Sequence, residues 1–297
     1  AGVELPNPVL LASGTCGYGA ELAPFLDLRE LGGIVAKSLT LEPRAGNPPP
    51  RIAETPAGML NAISLENIGV DAFIRERLPM LPPELPVIAS CFETEIERYA
   101  EVCKRLQGAP GVRALEINAS CPHVKAGGIE FGQDPAALAA LVKACRGATR
   151  MPLFVKLSPN VTSIVEMARV CQEEGADGLS LINAVQAMMV DVHTRRPALR
   201  NVLGGLSGPA ILPIALRMVY QVAEAIRIPI CGIGGIASAE DAVAFLLCGA
   251  SAVQVGTVSY TNPQAALEIR DGIGAYCRAQ GVERVSELTR GLESFPA

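Results

Sequence analysis

The segment Asn118-Ala119-Ser120-Cys121-Pro122-His123 places a thiol among amides and hydroxyls, directly after the apolar run Ala114-Leu115-Glu116-Ile117. A thiol on a proline-stiffened loop just past a strand suits proton abstraction beside a flat, hydrogen-bonding ring. One Cys among nine is more commonly a small buried hydrophobe. What lifts Cys121 above that reading is its company, because Lys37, Asn61, Lys156 and Asn183 also fall at strand ends or on loops leaving them. Lys is almost never buried unless paired or used. Lys37 closes Ile34-Val35-Ala36-Lys37-Ser38 and Lys156 sits in Leu153-Phe154-Val155-Lys156-Leu157, so the two call for an anionic ligand, with an internal ion pair as the plainer alternative. Asn61, Asn118 and Asn183 offer donors and acceptors that match the alternating N–H and C=O edge of a pyrimidine or imide ring, where turn-forming Asn is the bland alternative.

A second signal is phosphate-binding. Gly232-Ile233-Gly234-Gly235-Ile236-Ala237 matches the dinucleotide pattern G-x-G-x-x-G/A, but that reading needs an acidic residue ending the next strand, which runs Val253-Gln254-Val255-Gly256. A barrel phosphate site fits better, with Gly234, Gly235, Gly256 and Thr257 offering backbone N–H groups. The loop Gly204-Gly205-Leu206-Ser207-Gly208 is expected to close it. A single phosphate fits FMN better than a dinucleotide.

These residues need a scaffold that gathers strand ends. Eight continuous apolar runs read as buried parallel strands: Val9 to Ser13, Gly33 to Ser38, Val87 to Ser90, Ala114 to Asn118, Leu153 to Leu157, Gly178 to Asn183, Pro229 to Gly232 and Ala252 to Gly256. Amphipathic stretches separate them: Glu93 to Leu106, Asp134 to Cys145, Thr162 to Glu174 with a Thr cap, Pro209 to Ile226, and Ser238 to Cys248. Gly175 and Gly249 stand just past two of these as C-caps. The expected fold is an α/β TIM (β/α)8 barrel, one domain over residues 1–297, with a doubly wound sheet as the competitor. Residues 39–69, 119–133 and 184–208 show no regular pattern. All three follow strands, so they are expected to elaborate the catalytic face as elongated loops.

Composition narrows the class. A chain of 297 residues, 49% apolar and 19% charged, can bury a large core. Its net charge of −5 argues against a nucleic-acid surface. No apolar run reaches membrane-span length, and no basic-then-apolar signal segment opens the chain. Nine Cys without a C-x-x-C pair, and only two His, suit neither a disulfide framework nor a metal site. The expected compartment is the reducing cytoplasm, and any redox chemistry needs a bound organic cofactor.

Taken together, the residues resemble the class 1 dihydroorotate dehydrogenases along essentially the whole chain. The resemblance is carried by Asn7-Pro8 through Ala12-Ser13-Gly14, Ala36-Lys37-Ser38, Met59-Leu60-Asn61-Ala62-Ile63, Asn118 to Pro122, Val155 to Thr162, Ile182-Asn183 and Gly205 to Pro209. Val124-Lys125-Ala126-Gly127-Gly128 and Ala215-Leu216-Arg217-Met218-Val219-Tyr220 look like the NAD-linked subfamily (class 1B). Its catalytic chain binds FMN and pairs with a subunit carrying FAD and a 2Fe–2S cluster, around a homodimer in a heterotetramer.

The resemblance implies oxidation of dihydroorotate to orotate in pyrimidine biosynthesis. Cys121 would be the base at C5, with Lys37 assisting it, while hydride leaves C6 for the flavin. Lys37, Asn61, Ala62, Ile63, Ser64, Leu65, Asn118, Asn183 and Ala184 would bind substrate. Ser13, Lys37, Ser38, Ser90, Asn118, Lys156, Ile182, Gly208, Gly234, Gly235, Gly256 and Thr257 would bind FMN, with Lys156 stabilising charge on its reduced form. The family usually has Asn at His123, Thr or Ser at Ala184, Gly at Ser64, Gln at Glu66, and in the subfamily Asn at Ser90. Ser-Cys-Pro-His with Gly132-Gln133-Asp134-Pro135 instead resembles the dihydropyrimidine dehydrogenase branch, which acts on uracil and thymine. Two other classes stay open: a non-catalytic FMN- or phosphate-binding barrel, and a lyase using Lys156 as a Schiff base.

Overall fold

The computed structural model describes residues 2–119 and 131–295, so Cys121, His123 and the segment Val124 to Gly128 lie outside the described residues. Strands β1 (Val9–Leu11) and β2 (Gly33–Val35) come first, and residues 39–69 contain β3 (Ile52–Thr55) and β4 (Gly58–Asn61). Next are β5 (Val87–Cys91), β6 (Val112–Asn118), β7 (Leu153–Lys156) and β8 (Gly178–Leu181). Residues 184–208 hold β9 (Val185–Met188), β10 (Val190–Asp191), β11 (Arg196–Pro197) and β12 (Leu203–Ser207), and β13 (Ile230–Ile233) and β14 (Ala252–Val255) complete the set. Eight parallel strands close in the order β1-β2-β5-β6-β7-β8-β13-β14, with Leu10 opposite Gly33 on one side and Gln254 on the other. The barrel read from the eight apolar runs is present.

A short helix α1 (Val70–Ala72) runs on in tighter and wider turns to Met80, followed by α2 (Ile96–Leu106), α3 (Pro135–Ala148), α4 (Ile164–Glu173), α5 (Leu212–Ala225), α6 (Ala239–Leu247) and α7 (Ala265–Gln280). After β1 there are only 3-10 turns. Ile164, Ala168 and Cys171 of α4 are buried, but its cap is Ser163, one residue later than expected, accepting from the Glu166 N–H. Gly175 and Gly249 take φ of 90° and 111° just past their helices, where a side chain is strained.

The main departure from the expected pattern lies in residues 39–69 and 184–208. They form a four-stranded antiparallel sheet, β3-β4-β12-β9, rather than irregular loops. Asn61 pairs with Gly205, and Gly205 with Gln186, across long stretches of chain. The stretch expected as the loop Gly204 to Gly208 is therefore mostly strand β12.

Inside the barrel, Leu10, Val35, Ile88, Ala114, Cys231 and Ala252 form an apolar plug against Phe154. Residues two apart on a strand share a face, so Ala114, Glu116 and Asn118 climb from plug to mouth on one line. The interior turns polar above the plug, where Glu116, Ser180 and Gln254 are buried.

Candidate active site

A cavity of 770 Å³ opens at the C-terminal ends of the barrel strands, partly covered by residues of the antiparallel sheet. Its size is that of a small-molecule or cofactor site. Ser13, Lys37, Ser38, Asn61, Ile63, Ser64, Leu65, Ser90, Asn118, Lys156, Ile182, Asn183, Ala184, Gly208, Gly234, Gly235, Gly256 and Thr257 all line it. Ala62 does not: it packs with Leu60 and Leu199, its N–H donates to the Arg51 carbonyl, and its own carbonyl accepts from Asn47 Nδ2. Both of its backbone polar groups are thereby engaged within the protein.

On one wall Asn118 Nδ2 donates to Ser38 Oγ at 3.1 Å, and Ser38 Oγ shares a hydrogen bond with Ser90 Oγ at 2.9 Å. Tyr99 OH, at the back of the barrel wall, donates to the Asn118 carbonyl at 3.0 Å. This chain fixes the Asn118 amide at the end of β6, the last described strand before Cys121. Ser13 Oγ donates to the Ala36 carbonyl at 2.8 Å, tying the loop after β1 to the approach to Lys37.

Lys37 Nζ donates to the Ser64 carbonyl at 3.4 Å, which brings the ammonium against the stretch from Asn61 to Leu65. Ser64 itself has φ of 70°, left-handed backbone that Gly adopts with less strain. Opposite, Asn61 Nδ2 reaches the Gly205 carbonyl at 3.5 Å. Asn183 Oδ1 accepts from the Ala184 N–H at 2.8 Å, and Asn160 Nδ2 holds the Ala184 carbonyl at 3.3 Å. Asn160 was not among the expected site residues, and it braces the turn carrying Asn183.

The far end carries the anion-binding groups. The N–H groups of Gly234, Gly235, Gly256 and Thr257 donate to no acceptor among the described residues, and all four residues line the cavity. Such a set suits a phosphate. Thr257 Oγ1 and Ser207 Oγ share a 2.9 Å hydrogen bond, so β12 meets the loop after β14 there. Gly235 has φ of 79°, and a Cβ on it would meet the Leu212 N at 2.7 Å, so close packing on α5 requires glycine.

Lys156 is 7% exposed and makes no hydrogen bond or ion pair among the described residues. A buried ammonium with no partner among the described protein groups is costly, so it calls for a counter-charge or a ligand group in the cavity. Lys156 and the four N–H groups fit FMN, a flat ring system with one phosphate. Glu116 and Gln254 also line the cavity floor and were missed, because a lone acid inside an apolar run reads as part of a strand. Glu116 Oε2 accepts from Ser180 Oγ at 2.7 Å and from Gln254 Nε2 at 3.1 Å.

The family model for dihydroorotate dehydrogenase matches residues 1–276. The chain belongs to the dihydroorotate dehydrogenase family. Within that family, a Pelobacter propionicus protein named "Dihydroorotate dehydrogenase B (NAD(+)), catalytic subunit" is 55% identical over 99% of this chain and 97% of its own length. Proteins of the same name are similar in Trichlorobacter lovleyi, at 55% identity over 98% of this chain and 96% of theirs, and in Desulforudis audaxviator, at 53% over 97% and 94%. The solved structure of DHODH in complex with ferulenol from Eimeria tenella has a TM-score of 0.81 to this fold, covering 96% of this chain and 85% of that one. At 23% identity that likeness speaks to the barrel alone.

Proposed function

We propose that this chain is the catalytic subunit of an NAD-linked dihydroorotate dehydrogenase, oxidising dihydroorotate to orotate in pyrimidine biosynthesis with FMN as its bound cofactor. The observation that carries this is a single cavity joining Lys37, Asn61, Asn118 and Asn183 to Lys156 and four N–H groups that donate to no acceptor among the described residues. FMN, when bound, supplies the two-electron acceptor. Gly234, Gly235, Gly256 and Thr257 would hold its phosphate, and Lys156 would stabilise negative charge on its reduced form. Asn61, Asn118 and Asn183 keep the substrate ring flat, and Lys37 meets the substrate carboxylate beside the Ser64 backbone. Cys121 takes the proton from C5. A thiol with an ordinary pKa near 8.5 needs help at neutral pH, and we assign that task to Lys37.

Two further parts of the reading concern partners. The relatives' name, "catalytic subunit", supports a second subunit, which we assign FAD and a 2Fe–2S cluster as electron carriers to NAD. Met188, Val190, Val192, Val202 and Leu203 are exposed at one end of the antiparallel sheet and the neighbouring hairpin, an apolar face that supports a homodimer of this chain. The site of action is the cytoplasm. No helix among the described residues is long and apolar enough to cross a membrane.

The test is the purified protein titrated anaerobically, first with dihydroorotate and then with dihydrouracil. One FMN per chain should be released on denaturation, and dihydroorotate should bleach it. Cys121→Ala should keep the flavin and bind orotate but slow flavin reduction by about 10²–10⁴-fold. Reduction of that variant at the parent rate would overturn the assignment of the base.

A further inference from the structure

Glu116 is fully buried in the barrel interior, yet among the described residues only one of its two carboxylate oxygens is satisfied: Oε1 has no hydrogen-bond partner there, and neither does the Oε1 of Gln254 beside it. Both residues line the floor of the cavity. A buried carboxylate stays charged only when paired, and an unmade hydrogen bond on a buried oxygen is costly. The matching donor is in the same place. Lys156 stands opposite Ser180 in the β7–β8 register, Ser180 Oγ donates to Glu116 Oε2, and the Lys156 ammonium has no partner of its own among the described residues. Two acceptors lacking donors and one ammonium lacking acceptors thus share one buried chamber. They do not touch, since no ion pair within 4.0 Å joins Glu116 and Lys156, and a single buried water fits the requirement of two to four polar partners. The only other carboxylate lining the cavity, among the described residues, is Glu54, which is exposed at its rim.

We propose that Glu116 is the ionised counter-charge of Lys156, linked to it and to the Gln254 carbonyl through one buried water, and that this floor sets the reduction potential of the bound flavin. The inference rests on the flavin reading above. Glu116 is a positioning residue, acting on the flavin through the charge balance with Lys156. One negative charge beneath a ring at about 10 Å, in a medium of effective dielectric about 20, is worth on the order of tenfold in an equilibrium that adds negative charge to that ring. The pairing also has a signature of its own. Without the ammonium, the buried carboxylate takes up a proton, so removing its charge no longer matters.

The experiment compares the midpoint potential of bound FMN in the parent holoenzyme, Glu116→Gln, Lys156→Met and the double variant, after flavin content has been measured in each. Glu116→Gln should favour the reduced flavin by about tenfold, about 30 mV more positive for a two-electron couple. The same substitution in the Lys156→Met background should produce no shift. An unchanged potential in Glu116→Gln with full flavin, or an equal shift in both backgrounds, overturns the inference and leaves the flavin assignment standing. A parent that takes up no flavin overturns the assignment itself. Should Glu116→Gln fail to fold, infrared spectra of the parent and Lys156→Met holoenzymes decide the question. A protonated-carboxyl band must then appear in Lys156→Met and be absent from the parent, and its presence in both, or in neither, refutes the pairing.

Discussion

At the scale of single residues, the proposed role of Lys37 predicts which pyrimidine the cavity prefers. Its ammonium lies beside the Ser64 carbonyl and the stretch from Asn61 to Leu65, a setting that suits a carboxylate, and uracil carries none. Lys37→Ala should weaken orotate binding by about 1.5–3 kcal/mol and uracil binding far less. Dissociation constants for both ligands on parent and variant check it, and equal weakening would point to the dihydropyrimidine branch. The thiols offer a second test. Burial, reinforced by Glu21, pushes the Cys16 thiol up to about 12, and burial together with Glu116 does the same for Cys231. Both should resist iodoacetamide in the native protein near pH 8, while Cys121 should be labelled and orotate should protect it. Peptide mapping that finds label on Cys16 or Cys231 and none on Cys121 would sink this expectation. Lys37, Lys156 and the three Asn were legible because polar types at strand ends stand out against apolar runs. Glu116 was not, because its meaning lies in its phase: it shares the inward line of Ala114 and Asn118, and only a closed barrel makes that line a cavity floor.

At the scale of elements, the phosphate end depends on how closely the turn after β13 approaches α5. A methyl on Gly235 would stand 2.7 Å from the Leu212 N and force φ of 79° on an L-residue. Gly235→Ala should therefore cost at least about 1–2 kcal/mol from handedness alone and loosen FMN. Thermal midpoint and flavin retained after gel filtration measure the two effects. Ser238→Ala is the matched control: the capping box of α6, in which Ser238 and Asp241 exchange hydrogen bonds, is worth about 1 kcal/mol, so stability should fall while flavin stays. The same contrast explains what the sequence could reveal. Barrel strands announce themselves because both faces are largely buried and most of their residues are apolar. The covering sheet does not: β3 alternates exposed and half-buried residues, β12 begins Leu203-Gly204-Gly205, and its pairing of Asn61 with Gly205 is set by tertiary contact. The patternless stretches 39–69 and 184–208 were placed on the catalytic face, where residues of both line the cavity, but their mutual pairing had no local signature.

At the scale of the whole molecule, on the proposed reading the electrons that dihydroorotate leaves on the flavin need an exit, and the described residues offer none. The glycine-rich stretch from Gly232 to Ala237 is built into the barrel, with Gly232 inside β13 and packed on Phe245, and β14 ends without the acid a dinucleotide ribose requires. The described cysteines lie apart from any grouping that could hold a metal or cluster, and most of them are buried. Reduction of NAD by the isolated chain should therefore be negligible, although artificial acceptors or oxygen can still drain the flavin. Adding the proposed electron-transfer subunit should restore it. Steady-state assays of the purified chain with NAD and with fumarate make the comparison. Brisk turnover with fumarate alone would place the chain with self-sufficient homodimers, and brisk turnover with NAD alone would demand a nucleotide site on this chain.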